Sequence, residues 1–302
     1  MKLRELIEDG ARRFETAGLS FGHGTTNAFD EAAWLTLWKL GLPLDTALDD
    51  APDSQANRPL SPEDIAQVAT LFEARISSRK PAAYLTREAW LQGFSFYVDE
   101  RSIVPRSLIA ELLVDGSIDY WLSESTHKIL DLCTGNGSLG LIAAHVYPDV
   151  QVLGADLSPE ALAVAKINIE RHGMQERMQL VQSDGLSAPA LQAAGPFDLI
   201  VCNPPYVNAD SMAALPPEYR AEPFMALDGN HHGSSDGMDF VRDLFQTVAQ
   251  HMSPHAVLVL EIGHERAFFE AAFSQLHAVW LDTSAGADQV LLLTRDALLS
   301  FQ

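Results

Sequence analysis

Short apolar segments alternate with helical patterns from about residue 128 onward, and this alternation constrains the fold more than any other feature. The apolar segments, each predicted to be a β-strand, are Lys128–Cys133, Gln151–Asp156, Met178–Gln182, Phe197–Cys202, Ala256–Ile262 and Val290–Thr294. Helical patterns lie between several of them, notably over Pro159–His172 and Asp239–His251. Strands that are apolar throughout are buried on both faces, as in a parallel sheet covered by helices. The sequence therefore predicts an α/β fold with a doubly wound, mostly parallel, Rossmann-like sheet and an antiparallel final strand.

The first part of the chain has a helical pattern. Apolar residues from Leu3 to Phe14 fall close to helical spacing. The polar stretch Asp49–Pro59 predicts a loop. A helix is predicted to begin after it, because Ser61-Pro-Glu-Asp64 has the N-cap residue, the proline and the acid that are typical of a helix start. Aromatic and β-branched residues around Gln92-Gly93 predict a hairpin.

These patterns predict three successive regions. Residues 1–88 form a smaller helical domain, residues 89–107 form a hairpin linker, and residues 108–302 form the α/β domain. We expect the helical domain to recognise the substrate.

The composition narrows the kind of partner. The chain has 302 residues with 41 acids and 20 bases, a net charge of −21. The negative electrostatic field of such a charge repels nucleic acids and attracts basic proteins, although the charge could serve solubility alone. No apolar run approaches the roughly 20 residues that span a bilayer, and the N-terminus has no secretory signal pattern. The two cysteines, Cys133 and Cys202, favour reduced thiols in a cytoplasmic protein over a disulfide or a metal site.

A glycine-rich loop follows the first of these strands. It runs from Asp131 through Gly135, Gly137 and Gly140 into an apolar helix. Glycines let the backbone turn sharply and lie close to a ligand at a helix N-terminus. Asp156 ends the next strand, where a carboxylate can accept hydrogen bonds from ribose hydroxyls.

The glycine spacing also fits a dinucleotide, so an NAD-dependent oxidoreductase is an alternative. However, a carboxylate at Asp131 opposes a pyrophosphate and suits the ammonium group of a methionine moiety. S-adenosylmethionine carries a sulfonium and no phosphate, so we predict that it is the cofactor. Its predicted site consists of Asp131, Thr134, Gly135, Asn136, Gly137, Asp156, Leu157, Asp184, Gly185 and Asn203. Asp184 is the expected partner of the adenine amino group, and turn or capping roles are the alternative for the three aspartates.

The most specific motif is Asn203-Pro204-Pro205-Tyr206, directly after the strand Phe197–Cys202. Consecutive prolines fix φ and lack N–H donors, so this loop is stiff. It presents the Asn203 side-chain oxygen, the Pro204 carbonyl and the Tyr206 ring together. Two acceptors and a ring suit a planar NH₂ group, which they hold in line with a sulfonium methyl. We predict that Asn203, Pro204 and Tyr206 are catalytic and that the four residues bind the substrate; an ordinary turn is the alternative.

These motifs, in this order, resemble those of class I methyltransferases that modify planar amino groups. The resemblance implies that Gly135, Gly137, Asp156 and Asn203 contact S-adenosylmethionine. It also implies that Asn203 to Tyr206 hold the substrate amide. The segment from Phe96 to Arg106 is similar to the one that precedes the catalytic domain in protein-glutamine methyltransferases.

Other segments are similar to the PrmB-type branch of that family, which methylates a glutamine of protein three of the large ribosomal subunit. These segments are Phe21-Gly-His-Gly-Thr25, Asn27-x-x-Asp30-Glu31-Ala32, Ala83-Tyr-Leu-Thr86 and Glu218-Tyr-Arg220-x-Glu222-Pro223. The resemblance implies transfer of a methyl group to a glutamine amide nitrogen. It further implies that the partner is a basic large-subunit ribosomal protein, free or in an assembly intermediate.

Other functions stay open at this point. The sister branch methylates the GGQ glutamine of peptide release factors, and Cys133 stands where that branch commonly has glycine. A nucleic-acid amino-methyltransferase would use the same loop, although net charge disfavours it. A noncatalytic binding module is a further alternative. We predict no metal site, and His23, Arg106 and Glu111 receive no assigned role.

Overall fold

The computed structural model describes residues 1–49, 51 and 53–301. Asp50 and Pro52, which belong to the predicted loop, and Gln302 lie outside the described residues. Within this part of the chain the α-helices are α1 (Leu3–Thr16), α2 (Ala28–Lys39), α3 (Pro62–Ser78), α4 (Ala82–Thr86), α5 (Ile109–Val114), α6 (Ser138–Val146), α7 (Pro159–His172), α8 (Pro189–Ala194), α9 (Ala209–Ala214), α10 (Pro217–Arg220), α11 (Asp239–Thr247), α12 (Arg266–Ala272) and α13 (Arg295–Phe301). The strands are β1 (Ala89–Leu91), β2 (Phe94–Phe96), β3 (Lys128–Leu132), β4 (Gln151–Asp156), β5 (Met178–Gln182), β6 (Phe197–Cys202), β7 (Met252–Glu261), β8 (Val279–Thr283) and β9 (Gly286–Thr294). Short 3₁₀ helices lie at Gln55–Asn57, Asp119–Trp121, Phe224–Ala226 and Val248–His251.

The chain forms two compact units. One, the helical unit, consists of Met1–Ala89 together with Leu215–Glu222. The other, the α/β unit, consists of Trp90–Ala214 and Pro223–Gln302. The helical unit thus includes a short segment that is distant in sequence.

In the helical unit, α1 and α3 pack closely through Gly10. A Cβ atom on Gly10 would lie 2.4 Å from the Phe72 ring, so only glycine permits this approach. Phe14 packs edge-on against the same ring, with centroids 5.2 Å apart. The α3 helix begins as its sequence predicts, because Ser61 accepts from the backbone N–H of Asp64 at 3.0 Å in a capping box.

A buried ion-pair network also lies inside the helical unit. The Arg75 side chain is wholly buried and donates to Glu31 Oε1 at 2.7 Å and to Glu218 Oε1 at 3.4 Å. Arg79 lies 2.8 Å from the same oxygen of Glu218. Burial raises the pKa of Glu31, and the neighbouring Arg75 guanidinium opposes that shift. The segment that contains α10 is therefore held by charges that water does not screen.

In the α/β unit, seven strands form one sheet in the order β5-β4-β3-β6-β7-β9-β8 within the described residues. Pairing is parallel from β5 to β7, whereas β9 pairs antiparallel with β7 and β8. The predicted doubly wound sheet and its antiparallel final strand are confirmed.

Alternate strand residues enter two cores on opposite faces of this sheet. One core contains Leu130, Leu132, Ile200, Cys202, Leu258, Leu260, Leu291 and Leu293. The other contains Ile129, Leu199, Val201, Val257, Val259, Val290 and Leu292. Both faces are covered, which explains why these strands are apolar without alternation.

The observed strand boundaries differ from the predicted ones in β3, β7 and β9, and β9 begins at Gly286 rather than at Val290. β3 ends one residue early because Cys133 has a left-handed φ of 59°. β7 begins at Met252, ahead of the apolar run, and β8 was not predicted. The predicted hairpin is present as β1 and β2, with positive φ at Gln92 and Gly93, the geometry of a tight two-residue turn. In the part of the chain described here, no helix has the length and apolarity to span a membrane.

We predict that Arg75→Ala lowers the free energy of unfolding by about 3–5 kcal/mol, because it leaves the buried Glu31 carboxylate without the guanidinium that pairs with it. Urea unfolding measures this loss. Arg12→Ala is the control, since Arg12 is exposed and its ion pair, with Asp9 on the same helix, lies at the surface. Equal stability of the two variants would contradict the role of the network.

Candidate functional site

The candidate site lies where the strand order reverses between β4 and β6 on either side of β3. Leu132, the last residue of β3, pairs with Cys202, the last residue of β6. The loops that follow these strands therefore emerge side by side at the carboxyl edge, where doubly wound sheets bind ligands.

The glycine loop lies open on one side. Gly135 has a φ of +55°, and a Cβ atom built there meets no atom within 4 Å, so the backbone borders open space. Gly137 has a φ of +83°, and a Cβ there would lie 3.2 Å from that of Ala165. The loop is therefore open towards a ligand at Gly135 and tightly packed towards the protein at Gly137.

Asp131 lies beneath this loop rather than at its surface. It is fully buried, and its Oδ2 accepts from the Gly140 N–H at 2.8 Å and from the Thr134 hydroxyl at 2.5 Å. Its Oδ1 is buried with no hydrogen-bond partner among the described residues. Burial raises the pKa of Asp131 to about 7. Asp131 thus shapes the loop from within.

Asp156 connects the next strand to the glycine loop. Its Oδ2 accepts from the Gly135 N–H at 2.8 Å, and its Oδ1 accepts from the Ser158 N–H at 2.9 Å. Burial raises the pKa of this carboxyl, and the backbone hydrogen bonds oppose the shift. Because each oxygen has a further lone pair, Asp156 can still accept from a bound diol.

A cavity of about 780 Å³ borders both loops, within the roughly 300–1,000 Å³ typical of small-molecule sites. The predicted site residues that line it are Gly135, Asp156, Leu157, Asp184, Gly185, Asn203 and Pro205. Those that do not line it are Asp131, Thr134, Asn136, Gly137, Pro204 and Tyr206. The Asn136 side chain instead accepts from the Ser138 N–H and donates to the Ile103 carbonyl.

Tyr206 packs its ring against Gly263. A Cβ atom on Gly263 would lie 2.7 Å from that ring, and the Tyr206 hydroxyl lies 3.4 Å from Glu261 Oε1. Burial raises the pKa of Tyr206 well above its usual range, and the nearby Glu261 carboxylate adds to this. The phenol therefore stays neutral and keeps its proton.

Sequence reasoning missed the residues that support this loop from β7 and the turn after it. Glu261 is buried and accepts from the Ser107 hydroxyl at 2.5 Å and the Leu108 N–H at 2.9 Å. Glu265 accepts from the Asn208 side-chain amide at 2.8 Å on both carboxylate oxygens. The available signal was an acid, Glu261, directly after the apolar run Ala256–Leu260, and a second acid four residues further on.

The segment before the α/β core also contributes to the cavity wall, which the sequence did not predict. Arg101, Ser102 and Ile103 line the cavity. Asn168 of α7 secures the start of this segment, since its side chain donates to the Tyr97 carbonyl at 3.0 Å and accepts from the Tyr97 N–H at 2.7 Å.

The unassigned polar residues have other contacts. His23 is buried and lies 3.4 Å from Glu222. Glu111 accepts from the backbone and hydroxyl of Ser284. His232 lies 2.7 Å from Asp243, and the hydrogen bond to this carboxylate, together with its charge, raises the pKa of the imidazole. In the described ranges, no three His, Cys, Asp or Glu side chains are grouped to hold a metal.

The residues present fit S-adenosylmethionine. The backbone at Gly135 borders open space that a side chain would fill. Asp156 and Asp184 line the cavity, and these two carboxyl groups favour a cationic ligand over a pyrophosphate. Asp156 and Asp184 can hold the ribose and the adenine, and the glycine loop the methionine moiety.

Comparison with known proteins identifies several relatives. Residues 113–215 match the family model of the methyltransferase small domain. The chain is 50% identical over 96% of its length to the ribosomal protein uL3 glutamine methyltransferase of Burkholderia pseudomallei, 94% of which is covered. It is 48% identical to the enzyme of the same name in Bordetella pertussis, over 98% of this chain and 96% of that one. It is 40% identical to the one in Bradyrhizobium diazoefficiens, over 95% of this chain and 89% of that one.

A solved structure also resembles the fold. The catalytic domain of hMettl16 superposes with a TM-score of 0.51 at 11% identity, covering 82% of this chain and 86% of that one. At this identity the likeness shows a shared fold.

We predict that Asp131→Asn makes the free energy of unfolding less dependent on pH. The pKa of Asp131 is about 7 in the folded state and near 3.8 when unfolded. Between these values the folded state binds the proton and the unfolded chain does not, so this group lowers stability as pH rises from about 4 to about 7. Asparagine cannot ionise, so the free energy of unfolding of the variant should fall less between about pH 4 and about pH 7 than that of the wild type.

Urea unfolding at a series of pH values measures the effect. Asp149→Asn is the matched control at an exposed position and should keep the pH profile of the wild type. If the free energy of unfolding of Asp131→Asn fell as steeply with rising pH as that of the wild type, Asp131 would not be the source of the pH dependence.

Proposed function

The chain belongs to the family of ribosomal protein uL3 glutamine methyltransferases, and from this premise we propose that its Asn203–Tyr206 loop holds the glutamine amide of uL3. The enzyme transfers a methyl group to a glutamine side-chain nitrogen of this large-subunit ribosomal protein. The observation that supports our assignment of the site is the adjacent emergence of this loop and the glycine loop from β6 and β3.

S-adenosylmethionine is the methyl donor and supplies an electrophilic methyl group on a positively charged sulfur. An amide nitrogen is a poor nucleophile because its lone pair is delocalised into the carbonyl group. The protein therefore has to hold the nitrogen in the reactive orientation. In our proposal the Asn203 side-chain oxygen and the Pro204 carbonyl accept the two amide hydrogens, and the Tyr206 ring packs on the amide plane.

The same contacts become stronger during the reaction. As the amide nitrogen bonds to the methyl carbon, the bond from that carbon to sulfur would break, and the sulfur would leave as a neutral thioether. The nitrogen would gain positive charge, so its N–H groups would donate more strongly to Asn203 and Pro204, and it would then lose one proton to water. Interactions that strengthen on the way to the transition state raise kcat rather than substrate affinity. The rigidity of the two prolines keeps both acceptors in place without reorganisation.

The partner is a large-subunit ribosomal protein. We propose in addition that its basic character matters, because the net charge of −21 attracts a cationic protein and speeds the encounter. The helical unit would recognise uL3, either free or in an assembly intermediate, in the cytoplasm. We expect no direct nucleic-acid substrate.

Labelled S-adenosylmethionine tests this function directly. The enzyme is incubated in parallel with purified uL3, with peptide release factors and with ribosomal RNA. We expect label in uL3, located on one glutamine by peptide mapping. Label only in release factors or only in RNA would overturn the proposal.

We predict that Asn203→Ala lowers kcat at least about 100-fold, because removing one preorganised polar contact to the reacting group commonly costs 10²–10³. The melting temperature should change little, since Asn203 is only partly buried. Gln179→Ala, an exposed amide on β5, is the matched control and should keep full activity. Near-normal turnover in Asn203→Ala would contradict the assigned role.

A further inference from the structure

The cavity wall carries charges of mainly one sign. Four aspartates line it, at positions 156, 184, 228 and 243, beside three histidines. Among the described residues of this wall, Arg101 is the single Lys or Arg. S-adenosylmethionine has an ammonium and a sulfonium group, which suit this environment, but it also has a carboxylate, which does not. A cationic side chain beside this carboxylate would stabilise it.

Arg101 belongs to a segment that is bound to the glycine loop. Ile103, two residues further on, also lines the cavity, and its carbonyl accepts from the Asn136 side chain at 3.1 Å. Asn136 is the neighbour of Gly135, the residue at which the loop borders open space. Arg101 therefore contributes to the wall beside the glycine loop, where the methionine moiety is expected.

The Arg101 guanidinium is fixed in orientation. Its Nε donates to Asp99 Oδ1 at 2.8 Å and its Nη2 donates to Asp99 Oδ2 at 2.7 Å, while the Tyr97 hydroxyl donates to the same Oδ2 at 2.7 Å. These bonds lower the pKa of Asp99 to about 2, so it stays ionised. A guanidinium has five N–H donors, and the contacts with Asp99 do not use those of Nη1. The group can therefore bind a second carboxylate without leaving the first.

From this arrangement we propose that Arg101 binds the carboxylate of the methionine moiety of S-adenosylmethionine. The proposal rests on the cofactor named under the proposed function. It assigns to the segment before the catalytic core a direct part in cofactor binding.

The test compares two ligands that differ only in this group. Isothermal titration calorimetry measures the Kd of S-adenosylmethionine and of decarboxylated S-adenosylmethionine, each with the full-length wild type and with Arg101→Gln, in the absence of uL3. We expect the substitution to weaken S-adenosylmethionine binding about tenfold or more, as for loss of a charged hydrogen bond. Binding of the decarboxylated ligand should change less than about twofold, because that ligand lacks the partner of Arg101.

Arg171→Gln is the matched control. It also removes one positive charge, on a guanidinium 5.1 Å from the Tyr97 ring centroid, but Arg171 does not line the cavity. It should leave both dissociation constants within about twofold of the wild type. An equal effect of Arg171→Gln would mean that general charge is responsible and would overturn the proposal.

The remaining outcomes are also decisive. Equal weakening of both ligands by Arg101→Gln would mean that Arg101 only maintains the wall, and unchanged binding of both would mean that it has no role. Either result overturns the proposal while leaving the methyltransferase function intact. Failure of the wild type to bind S-adenosylmethionine would overturn the cofactor itself and the proposal with it.

Discussion

Parallel pairing of β3 with β6 is the constraint on which the site depends. Backbone hydrogen bonds hold neighbouring strands about 4.8 Å apart, so Cys133 and Asn203, the residues after the paired Leu132 and Cys202, must begin adjacent loops. Side chains then only have to shape each loop. The adjacency of the two loops thus follows from sheet register, which is strongly specified where a strand is buried.

Buried carboxylates shape the two loops from inside the α/β unit. Asp131 accepts from the glycine loop, and Glu265 accepts from Asn208, just beyond the Asn-Pro-Pro-Tyr motif. A buried carboxylate is costly unless it is hydrogen-bonded, so each of these acids stabilises the backbone arrangement that supplies its donors. Each acid therefore favours the loop arrangement in which its hydrogen bonds are made.

The sequence predicts those parts of the fold that depend on local pattern. β4, β5 and β6 match their predicted segments residue for residue. The signal is clearest in β6, where Leu199–Cys202 is apolar and buried without interruption. β8 has a mixed pattern at the edge of the sheet, and the start of β7 contains a proline and a histidine, so neither has that signal.

For the site, motifs predicted which loops meet, and seven of the predicted residues line the cavity. The roles of these residues remain predictions. Local sequence could not show that Asp131 faces inward, since this depends on the helix packed above it. Nor could it place Arg101 in the wall, because that contact joins segments more than thirty residues apart, as the Ile103–Asn136 bond illustrates.

Leu215–Glu222 belongs to the helical unit, and this limits how the helical unit can be altered in evolution. The chain passes from the α/β unit into the helical one and back between α9 and Pro223, in addition to the passage near Ala89. Deleting the first 89 residues would leave Glu218 without both of its arginines. The helical unit is therefore not an exchangeable N-terminal module. Under its proposed role in substrate recognition, a new specificity would have to arise by substitution within it rather than by its replacement.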